Sequence, residues 1–313
     1  MPSSYQLVAD IGGTNARFAC VAGTELLHIQ TLRCADHATP EAAISTYLAM
    51  LPPELHINKL CIALAGLVDR DLIQLTNNHW CFSREGLARQ LGFAIVTIND
   101  FTAQALCLDT LRADELRWIG MPRPRGDRMR VVVGPGTGLG VAGLHPSGVV
   151  LTSEGGHIGV APLDTRGIAQ LQLLWQRFPR LSVERLLSGP GLSNLYWANS
   201  MFDGRDIELD APAITAGALA GDPLCRQTVQ DFLDMLAAVA GDLALVLGAQ
   251  DGVYLCGGIL PRLVPLFDDA KFLRIFQNKG RFTDYCTNLP LALVQAEHTG
   301  LRGCVAALRK GLI

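Results

Sequence analysis

Leu7-Val8-Ala9-Asp10-Ile11-Gly12-Gly13-Thr14-Asn15-Ala16-Arg17-Phe18 is the stretch on which the fold turns. An apolar run ends at a carboxylate, passes two glycines and resumes as an alternating run from Ala16 to Val21, the pattern of a β-hairpin. The glycines clear side chains from the turn, Thr14 offers a hydroxyl and a peptide N–H, and Asp10 sets negative charge beside the opening. That mixture suits phosphates carried with a divalent cation. An ordinary Gly-Gly hairpin with an incidental acid accounts for the stretch equally well when it is taken alone.

Downstream, Glu41 to Met50 has helical spacing and is stopped by Pro52-Pro53, and Lys59 to Gly66 reads as a buried strand. A short hairpin through Leu67-Val68 and Leu72 to Thr76 is expected next. It leads to Asn77-Asn78-His79-Trp80, which serves either as a sugar-facing loop or as an Asx-rich turn anchored by Trp80. Ser83 caps a helix that Gly92 ends. Phe93 to Ile98 is then a strand stopping at Asn99-Asp100. A carboxylate at a strand end is held rigidly yet reaches outward, as a general base must, although Asp100 could equally cap the next helix, Phe101 to Leu111.

Strands alternating with helices, twice over, predict α/β layers. The Pro- and Arg-rich stretch Met121 to Arg130 marks entry to a second domain. There Val131 to Val133 runs into Gly134-Pro135-Gly136-Thr137-Gly138-Leu139-Gly140 and out as Val141 to Leu144, echoing the first hairpin. Gly138-x-Gly140-x-x-Gly143 spells a dinucleotide fingerprint, but no helix opens behind it, so a nicotinamide site is the weaker alternative. Ser153-Glu154-Gly155-Gly156-His157 follows a short strand and can aim two hydroxyl-binding side chains at one pocket. Ile168 to Phe178 is a helix, and Ser182 caps another that Gly189-Pro190-Gly191 is expected to break. Glu184 reads there as a first-turn acid favoured by the helix dipole. Pro223 to Gly248 is a long core helix, and Val253 to Cys256 a strand ending in Gly257-Gly258. A last strand, Leu291 to Val294, precedes a terminal helix, Gly300 to Lys310.

The chain has 313 residues, 49% hydrophobic and 18% charged, with a net charge of -3, which gives no electrostatic case for nucleic acid or acidic membrane as partner. No apolar run approaches the ~18 residues of a membrane span, so a soluble, cytoplasmic protein handling a small molecule is expected. Nine cysteines without a CxxC pair read as buried, reduced thiols. The four lysines, Lys59, Lys271, Lys279 and Lys310, all lie outside the candidate loops. Phosphate charge would therefore fall to a divalent metal and to backbone N–H groups, with Arg17 the nearest guanidinium.

Taken in order, six stretches resemble the bacterial glucokinase family of the hexokinase and actin-like ATPase fold: 10–17, 98–103, 136–142, 154–157, 184–191 and 257–259. The resemblance implies a two-domain α/β, ribonuclease H-like fold with a central cleft. The small domain would comprise residues 1–108 with the C-terminal helix 299–313 packed back on it, and the large domain residues 109–298. It further implies ATP-dependent phosphorylation of the 6-hydroxyl of glucose. Asp100 matches the catalytic base, and Asn99, Asp100, Glu154, His157 and Glu184, with Asn77 in the covering loop, match the sugar site. Ala9, Asp10, Ile11, Gly12, Gly13 and Thr14 match one phosphate loop, Gly136, Thr137 and Gly138 the other, and Gly257 and Gly258 the adenosine side. Asp10 would hold Mg²⁺ through water, and the family suggests a homodimer. The zinc-bearing branch of the fold is disfavoured, because no cysteine occurs between Cys107 and Cys225. A non-catalytic sugar or nucleotide sensor on the same scaffold is the alternative from another class.

Overall fold

The computed structural model describes residues 5–66, 68–75, 78–120 and 126–311. The chain forms two compact units, Met1–Arg112 with Ala296–Ile313, and Ala113–Gln295.

In the first unit, apolar runs form β1 (Tyr5–Ile11), β2 (Asn15–Ala22), β3 (Glu25–Arg33), β4 (Ile57–Leu64), β5 (Leu72–Gln74), β6 (Cys81–Ser83) and β7 (Ala94–Asn99). Helices α1 (Pro40–Ala49), α2 (Arg84–Leu91) and α3 (Asp100–Cys107) are interspersed. Five strands make one sheet in the order β3-β2-β1-β4-β7. Its first three strands are an antiparallel meander, and β4 and β7 run parallel to β1. One face, carrying Leu7, Ala9, Ile11, Leu60, Ile62 and Leu64, packs on Ile44, Tyr47 and Leu87 in a common core. The C-terminal helix (Thr299–Lys310) packs on β1, β4 and α3. It crosses α3 where only glycine fits, since a Cβ on Gly303 would lie 2.0 Å from the Ala103 carbonyl oxygen. Its Cys304 thiol reaches the Ala9 carbonyl at 3.5 Å.

The strand Leu72–Gln74 pairs with Cys81–Ser83, and the hairpin expected through 67–68 and 72–76 includes Leu67 and Thr76, which lie outside the described residues. Asp71 fixes that pairing by accepting from Ser83 Oγ at 2.7 Å and from the Glu85 amide at 2.8 Å.

The second unit contains β8 (Leu116–Trp118), β9 (Arg130–Pro135), β10 (Leu139–Leu144), β11 (Val150–Ser153), α4 (Thr165–Leu174), α5 (Gly189–Met201), α6 (Ala211–Ala220) and α7 (Pro223–Leu247). It continues with β12 (Val253–Leu255), α8 (Leu260–Leu263), α9 (Asp269–Gln277), α10 (Thr283–Thr287) and β13 (Leu291–Val294); the C-terminal helix is α11. The sheet order is β11-β10-β9-β12-β13-β8. Again an antiparallel meander, β9-β10-β11, is extended by strands parallel to its first member, β12 and β13, and β8 closes the edge antiparallel to β13. The echo between the two glycine turns thus extends to whole sheets. Gly140 and Gly143 lie within β10, antiparallel to β9, so the dinucleotide fingerprint has no helix behind it.

Gly189-Pro190-Gly191 opens α5 instead of ending a helix. Ser188 caps it by accepting from the Gly191 amide at 3.0 Å, and a proline in the first turn forfeits no intrahelical bond. Residues 183–185 form only one 3₁₀ turn. Helix α7 buries Phe232, Leu236 and Ala240 in the core shared with α5, α6 and α9. Among the described residues no helix is long and apolar enough to cross a membrane. The nine cysteines are free thiols, and all but Cys81 are buried.

Candidate active site

Three parallel strands of the first unit end together. Register aligns Asp10 with Ala63 and Ala63 with Ile98, which places Asp10 and the Asn99-Asp100 pair at the same edge, two strands or roughly 10 Å apart. Asp10 faces its cross-strand neighbour Arg17 in a 3.7 Å ion pair. Burial pushes the Asp10 carboxyl up to about 6, with Arg17 opposing the rise and the charge of Asp100 adding to it. The first turn of α11 lies directly on this group. A Cβ on Gly300 would come 2.5 Å from the Asp10 carboxyl carbon, so glycine is required for the contact.

The cap of α3 is Asn99, whose Oδ1 accepts from the amides of Phe101 at 2.9 Å and Thr102 at 3.2 Å. Its amide nitrogen has no partner among the described residues and is free to donate. Asp100, half-buried, is the first residue of α3, where its charge is favoured by the helix dipole, and its Oδ1 also accepts from Phe101 N. Asp100 is thus not needed to cap the helix.

In the second unit the turn Gly136–Gly138 joins β9 to β10, closed by a bond from Gly136 N to Gly138 O at 2.8 Å. Two elements brace it. The Gly189 amide, at the start of α5, donates to Gly136 O at 2.8 Å. The Leu139 amide donates to Glu184 Oε2 at 2.9 Å. Gly138 is packed so closely on that carboxylate that a Cβ would fall 2.4 Å from it. The other oxygen, Glu184 Oε1, is 3.9 Å from His157 Nδ1, and His157 Nε2 is 3.9 Å from Glu154 Oε2. Gly156 lets the 3₁₀ turn that carries His157 press on the start of β10, because a Cβ there would be 2.1 Å from Leu139 O. On the opposite side, Gly257 (φ 97°) lies against Pro135, where a Cβ would fall 2.3 Å from the carbonyl oxygen. One unbroken series therefore runs from Gly257 through the Gly136–Gly138 turn and Glu184 to His157 and Glu154. It pairs bare backbone, fit for phosphates, with carboxylates and an imidazole, fit for hydroxyls.

A Glucokinase family model matches residues 7–311 of the chain. The chain belongs to the glucokinase family. It is 42% identical over 315 residues to a glucokinase of Hahella chejuensis, covering 98% of each chain. A solved glucokinase from an Antarctic psychrotroph superposes with a TM-score of 0.88 at 34% identity, covering 98% of this chain and 99% of that one. A ROK family glucokinase from Streptomyces griseus, solved with glucose and AMPPNP, shares the fold at a TM-score of 0.68 and 19% identity, covering 98% and 100%. The architecture is the actin-like ATPase fold, α/β with two mixed sheets.

Set against this family, the first unit gathers Asp10, the Gly12–Thr14 turn, Asn99 and Asp100 at one sheet edge, with Ala9 and Ile11 buried beside them. The second gathers Gly136, Thr137, Gly138, Glu154, His157, Glu184, Gly257 and Gly258. Asn77 lies outside the described residues. Its neighbour Asn78 is a brace, donating from Nδ2 to Gly12 O at 3.0 Å and accepting from Trp80 N at 3.0 Å. Trp80 is the buried anchor of this turn, its indole N–H donating to His37 O at 3.0 Å. The contact of Gly300 with Asp10 is a product of packing. A glycine in the first turn of the C-terminal helix was its only trace in the sequence.

Proposed function

We propose that the chain transfers the terminal phosphoryl group of ATP to the 6-hydroxyl of glucose, forming glucose 6-phosphate and ADP, with Asp100 as general base. The hydrogen bond from the Leu139 amide to Glu184 Oε2 carries this reading, because it joins a phosphate-type turn to a sugar-type cluster. Asp100 accepts the proton of the attacking hydroxyl as the new O–P bond forms and the bond to the ADP oxygen breaks. It stands at the first position of a helix, where the dipole favours negative charge. Asn99 offers an unengaged amide N–H₂ to sugar oxygens, while Glu154, Glu184 and His157, with Asn77, hold the remaining hydroxyls. Backbone groups from Ala9 to Thr14 and from Gly136 to Gly138 receive the phosphates, and Gly257 with Gly258 lets the adenosine side approach.

The donor chemistry fits Mg²⁺ at Asp10: a carboxylate raised to about 6 by burial and by a neighbouring like charge is relieved by a cation. Bound through water, the ion would neutralise phosphate charge during transfer. A cytoplasmic homodimer is the assembly that family membership suggests. The test is a coupled assay for glucose 6-phosphate with ATP and Mg²⁺, run across several hexoses and in excess chelator. Turnover of glucose that chelator abolishes is expected. Lack of glucose turnover would leave a ligand sensor in its place.

A further inference from the structure

A cavity of about 490 Å³ in the first unit is lined by Gly13, Thr14, Arg33, Ala35, Asn78 and His79, with Cys34 at its wall. Among the described residues no carboxylate lines it. Register pairs Arg33 with Asn15, the residue following the glycine turn, and the Cys34 amide donates to Thr14 O at 2.8 Å, so the end of β3 is pinned beside that turn. The polar groups of the wall are mostly committed. Asn78 braces Gly12 and Trp80, His79 Nε2 lies 3.0 Å from His37 O, and the Cys34 thiol is turned to Gly12 O at 3.6 Å. Among the described residues, the guanidinium of Arg33, the peptide N–H groups of Gly13 and Thr14, the Thr14 hydroxyl and His79 Nδ1 have no partner. Arg17 differs, being already paired with Asp10.

A wall whose unengaged polar groups are led by a guanidinium and two N–H donors, with no carboxylate among its lining residues, suits an oxyanion better than a neutral sugar, which asks for more acceptors. Arginine's planar fork matches phosphate geometry. We propose that this cavity is an anion site, in which Arg33 holds a phosphoryl group presented to the Gly13-Thr14 turn. The proposal rests on the kinase reading for the source of that group: the terminal phosphate of the nucleotide or the 6-phosphate of the sugar product. It also supplies a cation to a phosphate loop that the scarcity of lysine had left to metal and backbone alone.

Calorimetric titration of the full chain and of Arg33→Gln tests it, with four probes: AMPPNP and ADP, each with Mg²⁺, glucose, and glucose 6-phosphate. The variant is expected to weaken AMPPNP or glucose 6-phosphate about tenfold, the size of one lost charged hydrogen bond, and to spare ADP and glucose. Loss on AMPPNP assigns the nucleotide, and loss on glucose 6-phosphate the sugar. Ala35→Glu, which brings a negative charge to the same wall from an exposed position, gives the same pattern; where the two variants differ, Arg33→Gln decides. Unchanged binding of all four probes, equal weakening of all four, or wild-type protein that takes neither phosphorylated probe overturns the proposal. Wild-type protein without glucose turnover overturns the kinase reading instead, and the titrations still report on the cavity.

Discussion

Replacing Asp10 by Asn separates what this carboxylate costs the fold from what it gives the reaction. In the folded chain the group is raised from 3.8 to about 6, chiefly by burial. At about 1.36 kcal/mol per pKa unit, the ceiling on its cost at neutral pH is about 3 kcal/mol. With 24% of the side chain exposed, solvent lowers that to roughly 1–3 kcal/mol. The folded state holds the proton more tightly than the unfolded one, so the contribution to stability is complete below about pH 4. It is lost as pH rises through 6 and is constant above about 7. Asp10→Asn has no such titration. Urea unfolding of metal-free protein, measured in steps from pH 4 to 8, should show the variant gaining on wild type up to pH 7 and then holding a lead of roughly 1–3 kcal/mol. Turnover should fall by about 10²-fold or more, since a group that weakens the fold while serving phosphate and metal marks a functional site. A variant no more stable than wild type at pH 8, or one with the same pH slope, would refute the reasoning.

Asp100→Asn should lower kcat by about 10²-fold or more, with glucose affinity by calorimetry changed only a few-fold and the melting temperature unchanged, because Asn99 makes the cap. Asn99→Ala removes the acceptor of two helix amides, so it should cost about 1 kcal/mol in thermal unfolding and also weaken glucose binding. Gly136→Ala and Gly156→Ala should part company. A Cβ at Gly136 meets nothing within 4 Å, so stability should hold while KM for ATP rises. At Gly156 a Cβ would lie 2.1 Å from the Leu139 carbonyl oxygen, so the turn must move, unfolding should become easier by about 2 kcal/mol or more, and KM for glucose should rise. Equal behaviour of the two would contradict the ligand-facing role proposed for Gly136.

Elements where periodicity and punctuation coincide were legible in the sequence, among them the hairpin of β1 and β2, α2 between Ser83 and Gly92, and α7 ending at Gly248. Strand β3 was not. Its register against β2 shifts between Phe18 and Cys20, and His28 takes a left-handed φ of 52°, so the alternation of Glu25–Arg33 is broken midway and no single period remains. The residues 189–191 misled for a different reason: Gly-Pro-Gly fits a stop as well as a start, and only the bond to Ser188 decides. The site divides likewise. The chemistry of Glu184 could be matched to a family, but its bond to Leu139, 45 residues away, leaves no local mark. Gly300 against Asp10 and Arg33 beside the glycine turn are products of packing alone.

The two sheets are built on one plan, yet they put different chemistry at equivalent strand ends. In the penultimate pair of the first hairpin, Asp10 faces Arg17; in that of the second, Gly134 faces Gly140. The ends of both first strands are buried or nearly so, and a carboxylate in that setting carries a cost of the size worked out for Asp10. The fold bears that cost in one unit, where Arg17 offsets part of it and a cation can relieve the rest. In the other, the strand end has no side-chain charge, and the turn beyond it is bare backbone held by Glu184 and by the start of α5. On the proposed kinase reading, the charged end of the first unit suits a cation and the uncharged turn of the second suits phosphates, so each unit carries the chemistry its own strand end can bear.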